Sequence, residues 1–525
     1  MKRTIVYMIA LLLAVAAGAQ TLNVQVGNVT YQFPASQTGE MTYQDGTTLT
    51  IMGKAFALSD VSSMTVDESS VTDGTVSIDY SGSTANVIVA GNVAQYLAIE
   101  QKGAHVSIAQ SSDLAEEITY ALSGSTADGE FYMSGSYKAT IELNGLTLTN
   151  TNPVYSGAAV HIQNSKRIKV KPVTGTTSTL VDAASGSQKG CLYIKGHAEF
   201  AQKGTLNVVG NVKHAIKTGE YFTIKNATIN VTSALGDGIN CEQYFLMESG
   251  TITISGTSDD GIQCDIEDTD TYPTGTGETT DHEEEDSGNV YITGGSISIN
   301  SAATAAKGIK SEGDMNISGG TISVTTSGYN GEGIESKSTL DITGGEIIVD
   351  SYDDAINAAQ DLTISGGYVY ARATNNDAID ANGNCYIKGG VVYAVGSSSP
   401  EVAIDANSEE QKKLYVQGGT IVAIGGLERG ASLTQACYAS SSWNKNTWYA
   451  MTVGSDTFVF KTPASGGNTL VVSGASQPTL KSGVSVSGGT SLFNGAACTG
   501  ATVSGGSSVK LTSYTGGNGG GPMGK

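Results

Sequence analysis

Eight short strings centred on isoleucine recur along the middle of this chain, and their spacing leaves few folds open to it. They are His214-Ala215-Ile216, Asp237-Gly238-Ile239, Asp260-Gly261-Ile262, Lys307-Gly308-Ile309, Glu332-Gly333-Ile334, Asp354-Ala355-Ile356, Asp377-Ala378-Ile379 and Val402-Ala403-Ile404. The isoleucines stand 23, 23, 47, 25, 22, 23 and 25 residues apart, and the 47 reads as about two units with one acidic insertion. A second string keeps the same frame: Gly294-Gly295, Gly319-Gly320, Gly344-Gly345, Gly366-Gly367, Gly389-Gly390 and Gly418-Gly419. Each pair follows an alternating strand such as Leu362-Thr363-Ile364 and precedes another such as Thr321-Ile322-Ser323-Val324. Alternation sends every second side chain inward, here Ile, Val, Leu or Met. Three short strands per 22–25 residues suit one coil of a parallel β-helix, stacked on the last at roughly 4.8 Å. The leucine-rich pattern is absent, and a propeller needs about 40 residues per blade. The expected fold is all-β: a right-handed parallel β-helix (solenoid) with small β segments at both ends. The handedness extends the rule for parallel crossovers.

Composition agrees with many short strands and tight turns: 68 Gly against 8 Pro. Asp plus Glu number 50 and Lys plus Arg 28, a net charge of −22. Such a chain does not neutralise phosphates, so nucleic acid is excluded as a partner. Solubility alone also accounts for the charge. Residues 1–19 read as a secretory signal peptide: Lys2 and Arg3, an apolar run from Ile5 to Ala17, and Ala17-Gly18-Ala19 before a cleavage point. A secreted, cell-surface or periplasmic protein follows, with no later segment apolar enough to span a membrane and with a monomer as the simplest state. Residues 20–75 form an N-terminal β segment and 76–429 the helix, with clear repeats over 141–424. Residues 430–515 form a C-terminal β cap, and 516–525 a Gly-rich disordered tail. The run Asp265–Asp286 holds ten acidic residues and reads as a solvated loop.

The six cysteines match no zinc or CxxC spacing. Cys241 and Cys264 each follow an aligned Ile by two residues, Cys191 falls in the Ile position itself, and Cys385 replaces the core residue before Gly-Gly. Buried, stacked thiols are expected, with a Cys241–Cys264 disulfide as the alternative.

Polar residues flank the isoleucines in register. Two places before them stand Asp237, Asp260, Lys307, Glu332, Asp354 and Asp377; one place after stand Asn240, Gln263, Lys310, Glu335, Asn357, Asp380 and Asp405. All fall at one corner of the coil. Carboxylates ~5 Å apart repel by about 1 kcal/mol or more near a surface, so such a column calls for protonation, hydration or a bridging cation. Calcium takes six to eight oxygens from carboxylates, amides and carbonyls. The densest set is Asp353, Asp354, Asn357, Asn376, Asp377 and Asp380, with Glu332 and Glu335 beside it. The alternative is a ladder of ordinary turn residues. Two outward aromatic pairs, Tyr370 with Tyr393 and Tyr386 with Tyr415, offer ring faces to a sugar. They serve equally to stabilise the sheet or dock the cap.

The strings Glu332-Gly333-Ile334-Glu335-Ser336, Asp354-Ala355-Ile356-Asn357, Ile364-Ser365-Gly366-Gly367 and Asp377-Ala378-Ile379-Asp380-Ala381 resemble a bacterial family of secreted carbohydrate-binding parallel β-helix proteins. The resemblance covers roughly residues 140–425 and the Gly-rich tail. It implies a fold similar to calcium-dependent pectate lyases and binding of cellulose and polygalacturonate with bound calcium. Carried over by position, Asp353 to Asp380 form the calcium corner. Lys307 and Val402 depart from a regular ladder.

The expectation is a non-catalytic protein that binds plant cell-wall polysaccharide with calcium. A calcium-dependent pectate lyase is the second reading, with Lys307 or Lys310 as the base. A Lys among carboxylates tends to stay protonated, which favours a salt bridge there. The third reading is a structural adhesin.

Overall fold

The computed structural model describes residues 20–39, 41–266 and 287–516. Residues 1–19, expected to be a signal peptide, most of the acidic insertion and all but the first residue of the Gly-rich tail lie outside them. The chain is all-β and forms two compact units, residues 1–219 and 220–525. No helix among the described residues is long and apolar enough to cross a membrane.

In the first unit, Thr21–Val26 pairs antiparallel with Val29–Pro34 and with Val61–Asp67. A separate antiparallel sheet joins Thr42–Gln44, Thr48–Ile51 and Lys54–Ala57. Parallel stacking begins at Thr75–Ser81, which carries Ile118–Thr126 and then Ala139–Thr149. Another wall runs His105–Gln110, Glu130–Ser134, Val160–Gln163, Gly190–Ile194, His214–Thr218. The hairpin strand Leu97–Lys102 covers its first edge. Glu130 is fully buried here. Burial alone would raise its carboxyl, but the backbone N–H groups of Ser156, Tyr155, Val154 and Gly157 outweigh that and hold it below the usual range. His105 Nδ1 adds a contact at 3.0 Å. The carboxylate thus satisfies the backbone of an irregular loop that has no ladder partner.

In the second unit, three walls of short parallel strands stack coil on coil. One runs from Phe222–Ile224 to Leu414–Val416 and another from Thr228–Ala234 to Thr420–Ile424. The third carries the isoleucines: Ile239–Glu242, Ile262–Asp265, Lys307–Ser311, Glu332–Ser336, Ile356–Ala358 and Ile379–Ala381. Ile404 and Leu427 extend it through single bridges. Every isoleucine of this wall is fully buried. Ile356→Ala is expected to cost about 2–5 kcal/mol in denaturant unfolding of this unit, because rigid neighbours above and below cannot close the cavity.

The Gly-Gly turn needs both glycines for different reasons. At Gly366 a Cβ would lie 2.2 Å from the Thr343 carbonyl oxygen of the coil below, and Gly367 sits at φ +80°. A side chain is excluded at the first by contact and disfavoured at the second by conformation.

Two register expectations are corrected. Ile262 pairs directly with Ile309, so the 47-residue interval is one coil with a long insertion and not two units. The strands that flank it, Ile262–Asp265 and Asn289–Ile292, keep their parallel ladders. Leu192, not Cys191, stands opposite Ile216; Cys191 is one place off and is buried beside Ala215. Cys241 stands opposite Cys264, both buried, with no disulfide between them. Cys385 stacks between Leu362 and Leu414.

Beyond Ile424 the chain turns antiparallel. Leu470–Ser473 pairs with Thr420–Ile424 and with Cys437–Ser440. A sheet built on Trp448–Val453, Asp456–Lys461 and Thr479–Ser487 then lies over one wall of the helix.

Candidate functional site

The polar corner is a product of the register. Asp354 and Asp377 sit where the chain enters the isoleucine strand, and each reaches the next coil. The Asp377 N–H donates to Asp354 Oδ1 at 3.1 Å, and the Val402 N–H donates to Asp377 Oδ1. The same device recurs where Asp260 N–H meets Asp237 Oδ1 at 3.1 Å and Lys307 N–H meets Asp260 Oδ1 at 2.6 Å. One carboxylate oxygen of each aspartate therefore does ladder work, as turn chemistry requires.

The other side of the corner is compensated less completely. The outward column after the isoleucines runs Lys310, Glu335, Asn357, Asp380 in paired register. Asp405 and Glu428 continue it, their N–H groups bonded to Ile379 and Ile404 carbonyls. Asp377, Asp380 and Asp405 each place a carboxylate oxygen within 4.8 Å of the others. Asp405 also hydrogen-bonds with Asp380 and Glu428. Burial, reinforced by Asp380, Asp377, Asp353 and Glu332, pushes Asp354 up to about 9. Burial pushes Asp377 up to about 8, against the Val402 N–H and with the charges of Asp380, Glu401 and Glu428. Asp380 and Asp405 are both driven upward, mainly by burial. Glu335 Oε2 and Asn357 Oδ1, neighbours in the column, are buried and have no hydrogen-bond partner among the described residues.

The structure thus brings Asp354, Asn357, Asp377 and Asp380 of the expected set together. Asp353 and Asn376 are half-buried beside them, and Asp353 acts on Asp354 and Glu401 by charge. Glu332 is held by Lys307 at 2.7 Å and by the Asn357 amide at 3.3 Å. Glu335 pairs with Lys337 through its other oxygen. Glu428 is hidden in the sequence because Leu427 replaces the isoleucine that marks the frame, whereas Glu401 stands three places before the aligned Ile404, as Asp353 does before Ile356. Gly426-Leu427-Glu428, 23 residues after Ala403-Ile404-Asp405, is the signal that would have found Glu428.

Lys307 does not fit a base. Burial alone would lower its pKa, but the Glu332 carboxylate outweighs that and raises it. Lys310 is raised likewise, by Glu312 at 2.8 Å. Both are ammonium groups locked in ion pairs.

The two tyrosine pairs part company. Tyr393 is fully buried, with its hydroxyl donating to the Lys461 carbonyl at 3.0 Å. Tyr370 packs on Phe493, ring centroids 5.7 Å apart. The expectation that Tyr370 and Tyr393 face a sugar is therefore corrected: they dock the C-terminal sheet, whose apolar face needs a partner. Tyr386 and Tyr415 stay half-exposed and stacked at 4.9 Å with 9° between planes, and Lys388 Nζ lies 4.8 Å from the Tyr386 ring centroid.

Residues 102–378 match a protein family described as "Carbohydrate-binding domain-containing protein". No curated protein matches the chain. A solved structure of the polysaccharide lyase-like protein from C. thermocellum, in its gadolinium derivative, is similar over 52% of this chain and 93% of its own, at 20% identity and a TM-score of 0.34. The family match spans more than half of the 525 residues, and the protein belongs to this carbohydrate-binding family.

Proposed function

We propose that this protein is exported, binds a plant cell-wall type polysaccharide (polygalacturonate or a cellulose-like chain) without turning it over, and does so with calcium held at the acidic corner. The observation that carries the calcium reading is the crowding of acceptor oxygens on three aspartates with no paired cation among the described residues: Asp377, Asp380 and Asp405 lie within 4.8 Å of one another, and Glu335 Oε2 and Asn357 Oδ1 are orphaned along the neighbouring column. Near-contact carboxylates repel by about 3–4 kcal/mol per pair at an effective dielectric of ~20. A hard divalent cation reverses that sign and prefers this mixture of carboxylate and amide oxygen. Asp377, Asp380 and Asp405 would hold it. Bound there, calcium would let an acidic protein and a uronate polymer share one cation.

Catalysis finds less support. β-Elimination needs an unprotonated base, and Lys307 and Lys310 are both ion-paired. Affinity electrophoresis through polygalacturonate checks the whole reading. Strong retardation in calcium, much weaker retardation in chelator and no ultraviolet-absorbing unsaturated product are expected. Appearance of that product would make the protein a lyase, and equal mobility in both buffers would remove calcium from the account.

A further inference from the structure

A second place with sugar-binding chemistry lies away from the acidic corner, where the last coils of the helix meet the C-terminal cap. A cavity of about 400 Å³ opens there, with Thr374 and Ser397 from the helix and Ser442, Trp443, Lys445 and Asn468 from the cap among its walls. That volume is within the ~300–1,000 Å³ of small-ligand clefts. Its lining is dominated by hydroxyl and amide groups, which donate and accept along a sugar ring without a net charge of their own. Trp443 is half-buried, and its Nε1–H donates to the Gly467 carbonyl at 2.8 Å, which fixes the indole plane. Lys445 is exposed and makes no ion pair among the described residues, in a chain of net charge −22.

The walls are held before any ligand arrives. A Cβ on Gly467 would lie 2.5 Å from Gly425 Cα, so this loop sits directly on the helix end. Asn446 N–H donates to the Pro463 carbonyl at 3.2 Å and Thr447 N–H to Thr462 Oγ1 at 3.0 Å, which pins the segment carrying Trp443 and Lys445. Outside the lining, Arg372 is bound to Asp350 at 2.8 Å and donates to Oγ of the wall residue Ser465 at 3.4 Å. Rigid walls reduce the ordering cost of binding.

We infer that this cleft is a uronate-binding subsite independent of calcium: Trp443 covers the apolar face of one sugar ring, the serine and asparagine side chains bond its hydroxyls, and Lys445 takes its carboxylate. The inference rests on the polysaccharide-binding reading above but needs neither the metal nor the acidic corner. An aromatic plane gives the ring a surface to stack on. Lys445, the cation of the cleft's lining, favours an acidic sugar over a neutral one.

The test is tryptophan fluorescence and calorimetry of the full protein with trigalacturonate in chelator, since Trp443 and Trp448 are the only tryptophans. A saturable change in emission is expected. Lys445→Glu, at an exposed position that leaves folding intact, should weaken binding more than tenfold, and Trp443→Phe should remove the emission change. Cellotriose should bind at least tenfold more weakly than trigalacturonate. Equal affinity for the two, or unchanged binding in Lys445→Glu, would overturn uronate recognition here. If the wild type retains polygalacturonate in calcium yet ignores trigalacturonate in chelator, the cleft is refuted and the calcium-corner reading stands. If it binds no saccharide in either buffer, both fall.

Discussion

In chelator, the melting temperature of the second unit in the full protein is expected to fall as pH rises from about 5 to about 8, and calcium at about pH 8 to restore it. The sign follows from the direction of the shifts. Asp354 and Asp377 have folded pKa values of about 9 and about 8, above the ~3.9 of an unfolded aspartate. Between those limits the folded state keeps protons that the unfolded state has lost, so stability decreases with pH. Each such group removes about 1.4 kcal/mol per pH unit over its window. Below about pH 4 both states are protonated and the loss stops. Asp314 works the other way: hydrogen bonds from Ser338 and Thr339 outweigh its burial and lower its pKa, so its contribution is lost as the solution is acidified. A cation at the corner holds the carboxylates ionised and abolishes the alkaline loss. Calcium at 100 times its Kd adds about 2.7 kcal/mol, a rise of about 5 °C for a unit of this size. Differential scanning calorimetry across pH, with and without calcium, reads both effects. A flat or rising profile in chelator would show that these carboxylates are compensated by something else.

The double substitution Asp380→Asn/Asp405→Asn is expected to make the protein more stable in chelator and to weaken polygalacturonate binding at least a hundredfold in calcium. Both follow from the same crowding. Asparagine keeps the size and the acceptor of aspartate but carries no charge, so the repulsion with Asp377 and Glu428 disappears while the column's packing survives. A functional site that is unfavourable when empty gains stability when neutralised and loses activity. Chemical denaturation in chelator and calorimetry with polygalacturonate in calcium give the two readouts. A destabilised variant that still binds the polymer would reduce these carboxylates to ladder chemistry.

How far the sequence reveals this molecule depends on the range of the interaction. The isoleucine column is legible because each coil repeats the same inward demand; Ile239, Ile262 and Ile309 stand in one row whatever lies between them. The cap is a different matter. Tyr370 and Tyr393 carry the same outward alternation as Tyr386 and Tyr415, and nothing local says which pair will be covered. Contact with Phe493 and with the Lys461 carbonyl, far along the chain, decides it. The corner lies between these cases. Its stacking was readable from Asp354, Asp377, Asp380 and Asp405, but not which carboxylates converge: Asp405 closes with Asp377 and Asp380, and Glu428 beyond it is hidden because Leu427 ends the isoleucine pattern while the coil continues. Glu130 shows no pattern at all, since its partners are backbone groups of a loop.

Calcium titration calorimetry of the full protein at about pH 7.5 tests the central claim most directly. The account predicts saturable binding, with polygalacturonate bound far more tightly by the calcium-loaded protein than by the chelated one. No binding heat up to millimolar calcium, with polymer retention unchanged by chelator, would contradict it.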